Sequence, residues 1–423
     1  MPGLILAAPA SGSGKTTITL GLLRAMQLRG IATRGAKSGP DYIDPRFHEA
    51  ACGQPCLNLD AWAMSPDRVR SLAATEDLLL IEGAMGLFDG APPHGKGATA
   101  DLARILNLPV ILIIDAARMA QSVAPLVAGF ARHDPNVIIA GLILNNVGSD
   151  RHRRMLVTAL APLDIPVLGA LPRLSDLAHP SRHLGLVQAS ERADLEAFLD
   201  RAAAAVDRTI DIERLCAIAA PLRGAAPAQP IKPPAQNIAI AADQAFAFAY
   251  PHLLKDWRSA GATLQFFSPL NNEPAPPADL IYLPGGYPEL HAAKIAASKT
   301  FLHSLRNHAA RGTSIYGECG GYMVLGGSLT DADGNTYAMA GLLPLETSFA
   351  ERRLHLGYRH LTPLGGPFHG LHLGHEFHYA TTLRAEGDPL FRATDAEGNA
   401  LPPMGLWHGA VSGSFAHIVA PAE

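Results

Sequence analysis

The stretch Leu4-Ile-Leu-Ala-Ala-Pro-Ala-Ser-Gly-Ser-Gly-Lys-Thr-Thr17 decides the fold. A short apolar run gives way to small residues and glycines, and Gly14-Lys15-Thr16 then opens a helical pattern, so the order is strand, tight loop, helix. Gly12 and Gly14 let backbone N–H groups approach anionic oxygens with no Cβ in the way, at a helix N-terminus whose dipole favours negative charge. Lys15 is placed to reach the β- and γ-phosphates of a nucleotide, and the Thr16 hydroxyl to ligate Mg²⁺. The strict pattern has a glycine where Pro9 stands, so this is a variant phosphate loop; the plain alternative is a Gly/Ser turn that binds nothing.

At 423 residues the chain can hold two ordinary domains, each with its own core. Charged residues make up 17% and hydrophobic ones 48%, which predicts buried structure rather than a disordered tail. Lys and Arg number 34 against 38 for Asp and Glu, a net charge of −4 with no long basic run, which argues against a nucleic-acid partner. The four cysteines, Cys52, Cys56, Cys216 and Cys319, form no C-x-x-C pair and suit a reducing compartment. Met1-Pro-Gly-Leu runs directly into the first strand with no basic, cleavable leader, and no apolar stretch approaches a membrane span. The expectation is a soluble, cytoplasmic protein with no membrane partner.

Outward from the loop, residues 18–29 have helical spacing and end at Gly30. Ala36-Lys-Ser-Gly-Pro-Asp-Tyr-Ile-Asp-Pro45 reads as a loop, too rich in Gly and Pro for helix or strand, and it carries paired carboxylates. Asp77-Leu-Leu-Leu-Ile-Glu-Gly83 is a buried strand that delivers Glu82 at its C-terminal end, the edge where open α/β sheets bind ligands. A loop through Gly90 and a helix over 98–107 follow. The runs 109–115 and 137–145 are apolar at every position, as parallel strands covered on both faces should be. A shorter strand at 165–169, a loop through Pro180-Ser-Arg-His-Leu-Gly185 and helical patterns over 189–216 complete the first half. The predicted organisation is a domain over 1–220, a Pro/Ala-rich linker over 221–235 and a second α/β domain over 236–423. In the second domain, strands at 237–242, 263–267, 280–283 and 314–316 alternate with helices at 253–261 and 294–311, and 330–337 reads as a hairpin.

Ile315-Tyr-Gly-Glu-Cys-Gly-Gly-Tyr-Met-Val-Leu325 sets Cys319 between small residues, directly after a strand and before a helix. That pattern is a nucleophile elbow, in which a tight turn forces the side chain out and the helix N-terminus is expected to lower the thiol pKa. The N–H groups of Gly320 and of Gly286, in Pro284-Gly-Gly-Tyr, could form an oxyanion hole. A base is needed, and of the 18 histidines His417 stands first, near the domain end after a strand-like segment. His375 and His378, in Gly374-His-Glu-Phe-His-Tyr379, are the other candidates. The plain reading of Cys319 is an inert buried thiol.

Together with the phosphate loop, Lys37-Ser-Gly-Pro-Asp-Tyr-Ile-Asp-Pro45, Glu82-Gly-Ala-Met-Gly-Leu-Phe-Asp-Gly90, Leu283-Pro-Gly-Gly-Tyr-Pro-Glu289, Gly317-Glu-Cys-Gly-Gly-Tyr322 and Gly374-His-Glu-Phe-His378 resemble, in order and over nearly the whole chain, the cobyrinic acid and hydrogenobyrinic acid a,c-diamide synthase family. The resemblance implies an N-terminal P-loop α/β domain with a parallel sheet, similar to dethiobiotin synthetase. It implies a C-terminal class I glutamine-amidotransferase-like α/β domain. The activity so implied is ATP- and glutamine-dependent amidation of the c and then the a acetate of a corrinoid, in cobalamin biosynthesis, through an acyl-phosphate. ATP and Mg²⁺ are the implied cofactors, glutamine and a corrinoid the small-molecule partners. By the same resemblance Lys15, Thr16, Thr17, Lys37 and Asn145 belong to the nucleotide site, Asn145 against the adenine. Asp41, Asp44, Glu82 and Asp89 would hold Mg²⁺, the acyl-phosphate or the acceptor carboxylate, with Thr16, Glu82 and Asp41 as the metal set, Asp44 and Glu82 as catalytic groups, and Asp41 and Asp89 on the substrate. The plain alternative for Asp41, Asp44 and Asp89 is a turn or cap residue, and Asp115 reads as an outer Mg²⁺ residue or a cap.

Many class I glutaminases carry a glutamate two residues after the catalytic histidine; here that residue is Val419. The resemblance therefore implies a Cys319–His417 dyad. The same motifs fit another tetrapyrrole acceptor such as a nickel sirohydrochlorin, and no Cys/His cluster reads the central metal. The Gly39–Asp44 stretch favours the a,c-diamide branch over a cobyric acid synthase. A partitioning-type P-loop ATPase switch would carry an extra lysine early in the phosphate loop, where Pro9, Ala10 and Ser11 stand, and would leave Cys319 unexplained. Pockets of this fold often lie at subunit contacts, so a homodimer is among the expected assemblies.

Overall fold

The computed structural model describes residues 2–174, 177, 188–222 and 228–422, and the loop expected at 180–185 lies outside them. The chain divides into two compact units, Met1–Ala228 and Gln229–Glu423.

The first unit begins with β1 (Pro2–Ala7), whose last five residues are all buried, followed by the glycine loop and α1 (Lys15–Leu28). Gly14 caps α1 in the left-handed region at φ 88°, and Gly30 ends it at φ 72°. Then come β2 (Thr33–Ser38), α2 (Asp44–Cys52), β3 (Leu57–Leu59), α3 (Pro66–Ala73), β4 (Leu78–Glu82), α4 (Thr99–Leu106), β5 (Val110–Asp115) and α5 (Val123–His133). The unit continues with β6 (Ile139–Val147), α6 (Asp150–Leu160), β7 (Val167–Pro172), α7 (Leu195–Thr209), α8 (Ile212–Ile218) and β8 (Ala220–Pro221). Among the described residues these strands form an eight-stranded sheet in the order β3-β2-β4-β1-β5-β6-β7, with β8 antiparallel on β1. The seven strands of that order run parallel. Every side chain of β4 and all but the last of β5 are buried, because helices cover both faces of a parallel sheet.

Three expectations for this unit need correction. The segment 36–45 is not one loop: Ala36, Lys37 and Ser38 finish β2, and Asp44 and Pro45 start α2, leaving only 39–43 irregular. Proline is compatible with the first helical turn, whose N–H groups have no intrahelical partner, and Gly39 turns the chain at φ 76°. The helical region at 189–216 breaks at Ile210–Asp211, where Asp211 caps α8 by accepting from the Arg214 N–H. The strand expected at 165–169 starts at Val167 and runs to Pro172.

The second unit contains β9 (Asn237–Ala241), α9 (Pro251–Ser259), β10 (Thr263–Phe267), β11 (Leu280–Leu283), α10 (Ala292–Ala297), α11 (Lys299–Ala310), β12 (Ser314–Glu318) and α12 (Gly320–Leu325). The helix expected over 294–311 is thus two, separated at Ser298, whose hydroxyl turns back onto the Lys294 carbonyl. Short strands follow: β13 (Ser328–Thr330), β14 (Thr336–Ala338), β15 (Leu345–Ser348), β16 (His355–Pro363), β17 (His372–His378), β18 (Thr381–Ala385), β19 (Phe391–Thr394), β20 (Leu406–His408), β21 (Val411–Ser414) and β22 (Ala416–Pro421). The central sheet has the order β10-β9-β11-β12-β21-β20, parallel except for β20. Two four-stranded sheets complete the unit, β14-β13-β15-β18 and β19-β16-β17-β22. The second of these is antiparallel and carries both the histidine motif of β17 and His417 on β22.

Candidate functional site

In the first unit, β2, β4 and β1 are neighbours, so their carboxyl ends and the glycine loop open on one edge of the sheet. A cleft of about 460 Å³ lies there, lined among others by Gly12, Lys15, Thr16, Lys37, Asp44 and Glu82. The loop geometry depends on glycine: a Cβ at Gly14 would lie 2.2 Å from the Asn145 side-chain nitrogen.

Lys37 and Glu82 are register partners on β2 and β4, and this brings their charges together. Lys37 Nζ lies 2.6 Å from Asp44 Oδ2, 2.8 Å from Glu82 Oε1 and 3.9 Å from Asp41 Oδ2. The Thr16 hydroxyl donates to Glu82 Oε1 at 2.6 Å and lies 3.5 Å from Asp44 Oδ2. Burial works against the charged Lys37, but Asp44, Glu82 and Asp41 outweigh it and raise its pKa above the usual lysine value. Burial alone would likewise raise Glu82, yet Lys37 and the hydrogen bond from His48 hold that carboxyl well below its usual range. Asp41 goes the other way: burial and the neighbouring Asp44 push it up to about 7 against the pull of Lys37.

The remaining predicted residues divide clearly. Lys15 Nζ donates to the Met85 carbonyl at 2.5 Å and reaches the Ala10 carbonyl at 3.4 Å; burial first, and then Lys37, lower its pKa. Thr17 borders the cleft. Asp41 uses Oδ1 to accept the N–H groups of Ile43 and Asp44, an Asx turn at the start of α2. Asp89 Oδ2 accepts the Gly86 N–H, and Asp115 Oδ1 accepts from Ala117 N–H and from Asn146, both turn or cap arrangements. The Asn145 amide donates to the Ser13 carbonyl at 2.9 Å, holding the phosphate loop.

His48 went unread in the sequence. Its Nε2 donates to Glu82 Oε2 at 2.6 Å and its Nδ1 lies 3.4 Å from Cys56 Sγ, so both oxygens of Glu82 are fixed. Its signal was spacing: four residues after Asp44, it shares a face of α2 with that carboxylate.

In the second unit Cys319 stands between β12 and α12 at φ 47°, ψ −104°, a strained conformation for a residue with a Cβ and the geometry of an elbow. Its N–H donates to the Ser414 carbonyl at 2.8 Å. Close packing surrounds it: a Cβ at Gly321 would lie 1.9 Å from the Leu283 carbonyl oxygen, and one at Gly286 would lie 2.0 Å from that of Ala245. A Cβ at Gly320 would sit 3.0 Å from the Gly286 nitrogen, so the two glycines that carry the expected N–H donors pack against each other. The thiol does not show the expected lowered pKa. Burial, then Glu289, push it up, and a backbone hydrogen bond from Gly320 at the start of a six-residue helix does not compensate.

Of the three candidate histidines, His417 packs with Cys319 against Gly285: a Cβ there would lie 2.3 Å from His417 Cε1 and 3.3 Å from Cys319 Cβ. His417 is fully buried, and burial, with His375 and His378 nearby, lowers it to about 3. His378 Nε2 donates to Glu376 Oε1 at 3.0 Å, and its ring stacks on Phe415 at 3.9 Å. His375 is the cross-strand partner of His417, packs on Tyr358, and is lowered to about 4 by burial and Arg359. Among the described residues, His355, Glu376 and His378 have ligand-type atoms within 4.8 Å of one another. Two further residues escaped the sequence reading: Gly285, and Glu318, which precedes the cysteine directly.

No helix among the described residues is long and apolar enough to cross a membrane. Residues 4–187 match the family described as the CobQ/CobB/MinD/ParA nucleotide binding domain, and 237–423 the CobB/CobQ-like glutamine amidotransferase domain. A Brucella anthropi protein described as hydrogenobyrinate a,c-diamide synthase is 55% identical over 430 residues, covering 99% of this chain and 98% of the relative. Proteins of the same description from Rhizobium meliloti and Rhodobacter capsulatus are 53% and 52% identical, each covering 99% of this chain and respectively 99% and 98% of the relative.

Proposed function

The chain belongs to the hydrogenobyrinate a,c-diamide synthase family, and from that membership we propose how its residues divide the reaction. The protein is an amide ligase that takes its nitrogen from glutamine and uses a nucleotide-binding P-loop domain. Its acceptor in this reading is hydrogenobyrinate, the metal-free corrin named in its relatives, and the a and c acetate side chains become amides.

In the second unit Cys319 Sγ attacks the glutamine carboxamide carbon. His417 takes the thiol proton and returns it to the departing ammonia, leaving a γ-glutamyl thioester that water hydrolyses to glutamate. The N–H groups of Gly286 and Gly320 face the oxyanion that develops at the carbonyl oxygen. Burial disfavours the charged forms of both the thiol and the imidazole.

In the first unit an acetate oxygen of the corrin attacks the γ-phosphorus of ATP, releasing ADP. Ammonia then displaces phosphate from the acyl-phosphate. Two anions must meet, so positive charge is required, and Lys15 and Lys37 supply it at the loop. The Thr16 hydroxyl with the carboxylates of Asp44 and Glu82 is an all-oxygen donor set that suits Mg²⁺. Asp41, expected in that set, keeps Oδ1 in the turn and has Oδ2 3.9 Å from Lys37 Nζ, so it stands beside Asp44 as a donor to the metal. Bound there, Mg²⁺ would neutralise phosphate charge. His48 holds the second oxygen of Glu82.

One observation carries the reading: Thr16, Lys37 and Glu82 close on one another at a phosphate loop, in a chain whose other unit sets Cys319 and His417 against one glycine. The test offers the enzyme ATP, Mg²⁺ and glutamine with hydrogenobyrinate, cobyrinate or nickel sirohydrochlorin separately, and counts amidations by mass spectrometry. Two amidations of hydrogenobyrinate, at a rate above the other acceptors, are expected. Amidation confined to nickel sirohydrochlorin would overturn the assignment.

A further inference from the structure

Glu318 is buried to within 2% of its surface at the end of β12, one residue before the nucleophile. Its Oε2 accepts from the Tyr282 hydroxyl at 2.7 Å and lies 3.6 Å from His417 Nδ1. Its Oε1 accepts from the Tyr316 hydroxyl at 3.2 Å and from the Ile418 N–H at 3.0 Å. One carboxylate thus ties the end of β12, directly before Cys319, to the residue that follows His417, and faces the ring nitrogen of that base. The position that would carry the usual glutamate, two residues beyond His417, is Val419, whose carbonyl accepts a hydrogen bond from His252 Nε2 at 2.9 Å.

We propose that Glu318 is the positioning carboxylate of the glutaminase site, orienting His417 and stabilising its imidazolium in place of a glutamate after the histidine. This rests on the reading of Cys319 and His417 as nucleophile and base. A carboxylate on Nδ1 fixes the tautomer that leaves Nε2 free to take a proton, and offsets the positive charge the ring acquires when it does. The 3.6 Å separation is an ion-pair distance that can shorten to a hydrogen bond once the ring is charged. Two tyrosine hydroxyls and a backbone N–H prevent the carboxylate from turning away. No bond to Glu318 forms or breaks; the proton removed from Cys319 resides on His417 and leaves with ammonia.

The surroundings set the pH at which this operates. Burial raises Glu318 to about 7 against the hydrogen bonds from Tyr282, Ile418 and Tyr316. The other titratable groups facing the site are His375 and His378 on β17, which disfavour a charged His417, and Glu289 and Glu376, which disfavour the thiolate. Tyr250 packs edge-on to the His417 ring. Glutaminase activity should therefore rise with pH through about 7 as Glu318 ionises.

The experiment follows glutamate release from glutamine against pH in the full-length protein, for wild type, C319A, E318Q and E318D, with ammonia-dependent amidation measured in parallel. E318Q is expected to lower kcat/KM for glutamine by about tenfold or more, to remove the rise through neutral pH and to leave ammonia-dependent amidation unchanged. E318D, which keeps the charge on a shorter stem, should restore part of the rate and the rise. Full glutaminase activity in C319A would overturn the underlying reading. With C319A inactive, an E318Q rate within about twofold of wild type, or an equal loss at every pH with the rise preserved, would overturn the role of Glu318 alone.

Discussion

Lys37 and Glu82 face each other at 2.8 Å on adjacent parallel strands, both buried, with the Thr16 hydroxyl on the same Glu82 oxygen. Removing one member of such a pair leaves a buried charge without its partner, which costs about 3–5 kcal/mol. K37M is therefore expected to lower the stability of the first unit by that order and to abolish ATP-dependent amidation, while glutamate release from glutamine continues. Urea unfolding and the two half-reactions measured separately check this. A K37M protein that amidates at the wild-type rate would contradict it.

Gly285 is the contact surface shared by His417 and Cys319. An added methyl would overlap the imidazole at 2.3 Å and displace it, at about 1–3 kcal/mol for overpacking. G285A should lose glutamine-dependent amidation and keep the ammonia-dependent reaction, with a folded protein by circular dichroism. Unchanged glutamine use would show that His417 can act from another position.

Glu376 is held down to about 2: burial opposes its charge, but His378 and Arg359 outweigh burial. A carboxyl whose pKa is depressed on folding contributes stability that is complete above its unfolded value, near 4.5, and is lost as pH falls toward about 2. His375 and His417, lowered from 6.5 to about 4 and about 3, cost stability as pH falls from about 6.5 toward those values, because the unfolded chain takes up protons that the buried rings refuse. Comparing E376Q with wild type isolates the carboxylate. The slope of unfolding free energy against pH below about 4.5 should be shallower in E376Q by up to one proton. Parallel slopes would contradict the ion pair.

What could be read in advance was local. The strand, glycine loop and helix of residues 2–28 follow from apolar runs and punctuation, and so does the turn that carries Cys319. The pairing of Lys37 with Glu82 depends on strand register between segments far apart in sequence, which no spacing reveals. The Gly/Pro content of 36–45 masked the end of β2 and the start of α2, since glycine and proline also serve as helix-start and turn residues. The antiparallel sheet under the histidine motif is built from strands closed by long-range pairing, so it was invisible as well. Glu318 was hidden for a related reason: it neighbours Cys319 in sequence, but its meaning comes from His417 and Ile418, about a hundred residues on. The lowered thiol pKa failed because burial outweighs the start of a short helix.

The most direct measurement gives the enzyme hydrogenobyrinate, ATP, Mg²⁺ and glutamine carrying heavy nitrogen in its side-chain amide, with unlabelled ammonium in the buffer, and reads the isotope in the product amides. Wild type should place heavy nitrogen in both the a and c amides, and C319A should form the same diamide with unlabelled nitrogen only. Heavy nitrogen entering the product of C319A, or a wild-type product drawing its amides from the buffer, would contradict the division of the reaction between Cys319 and the phosphate-loop unit.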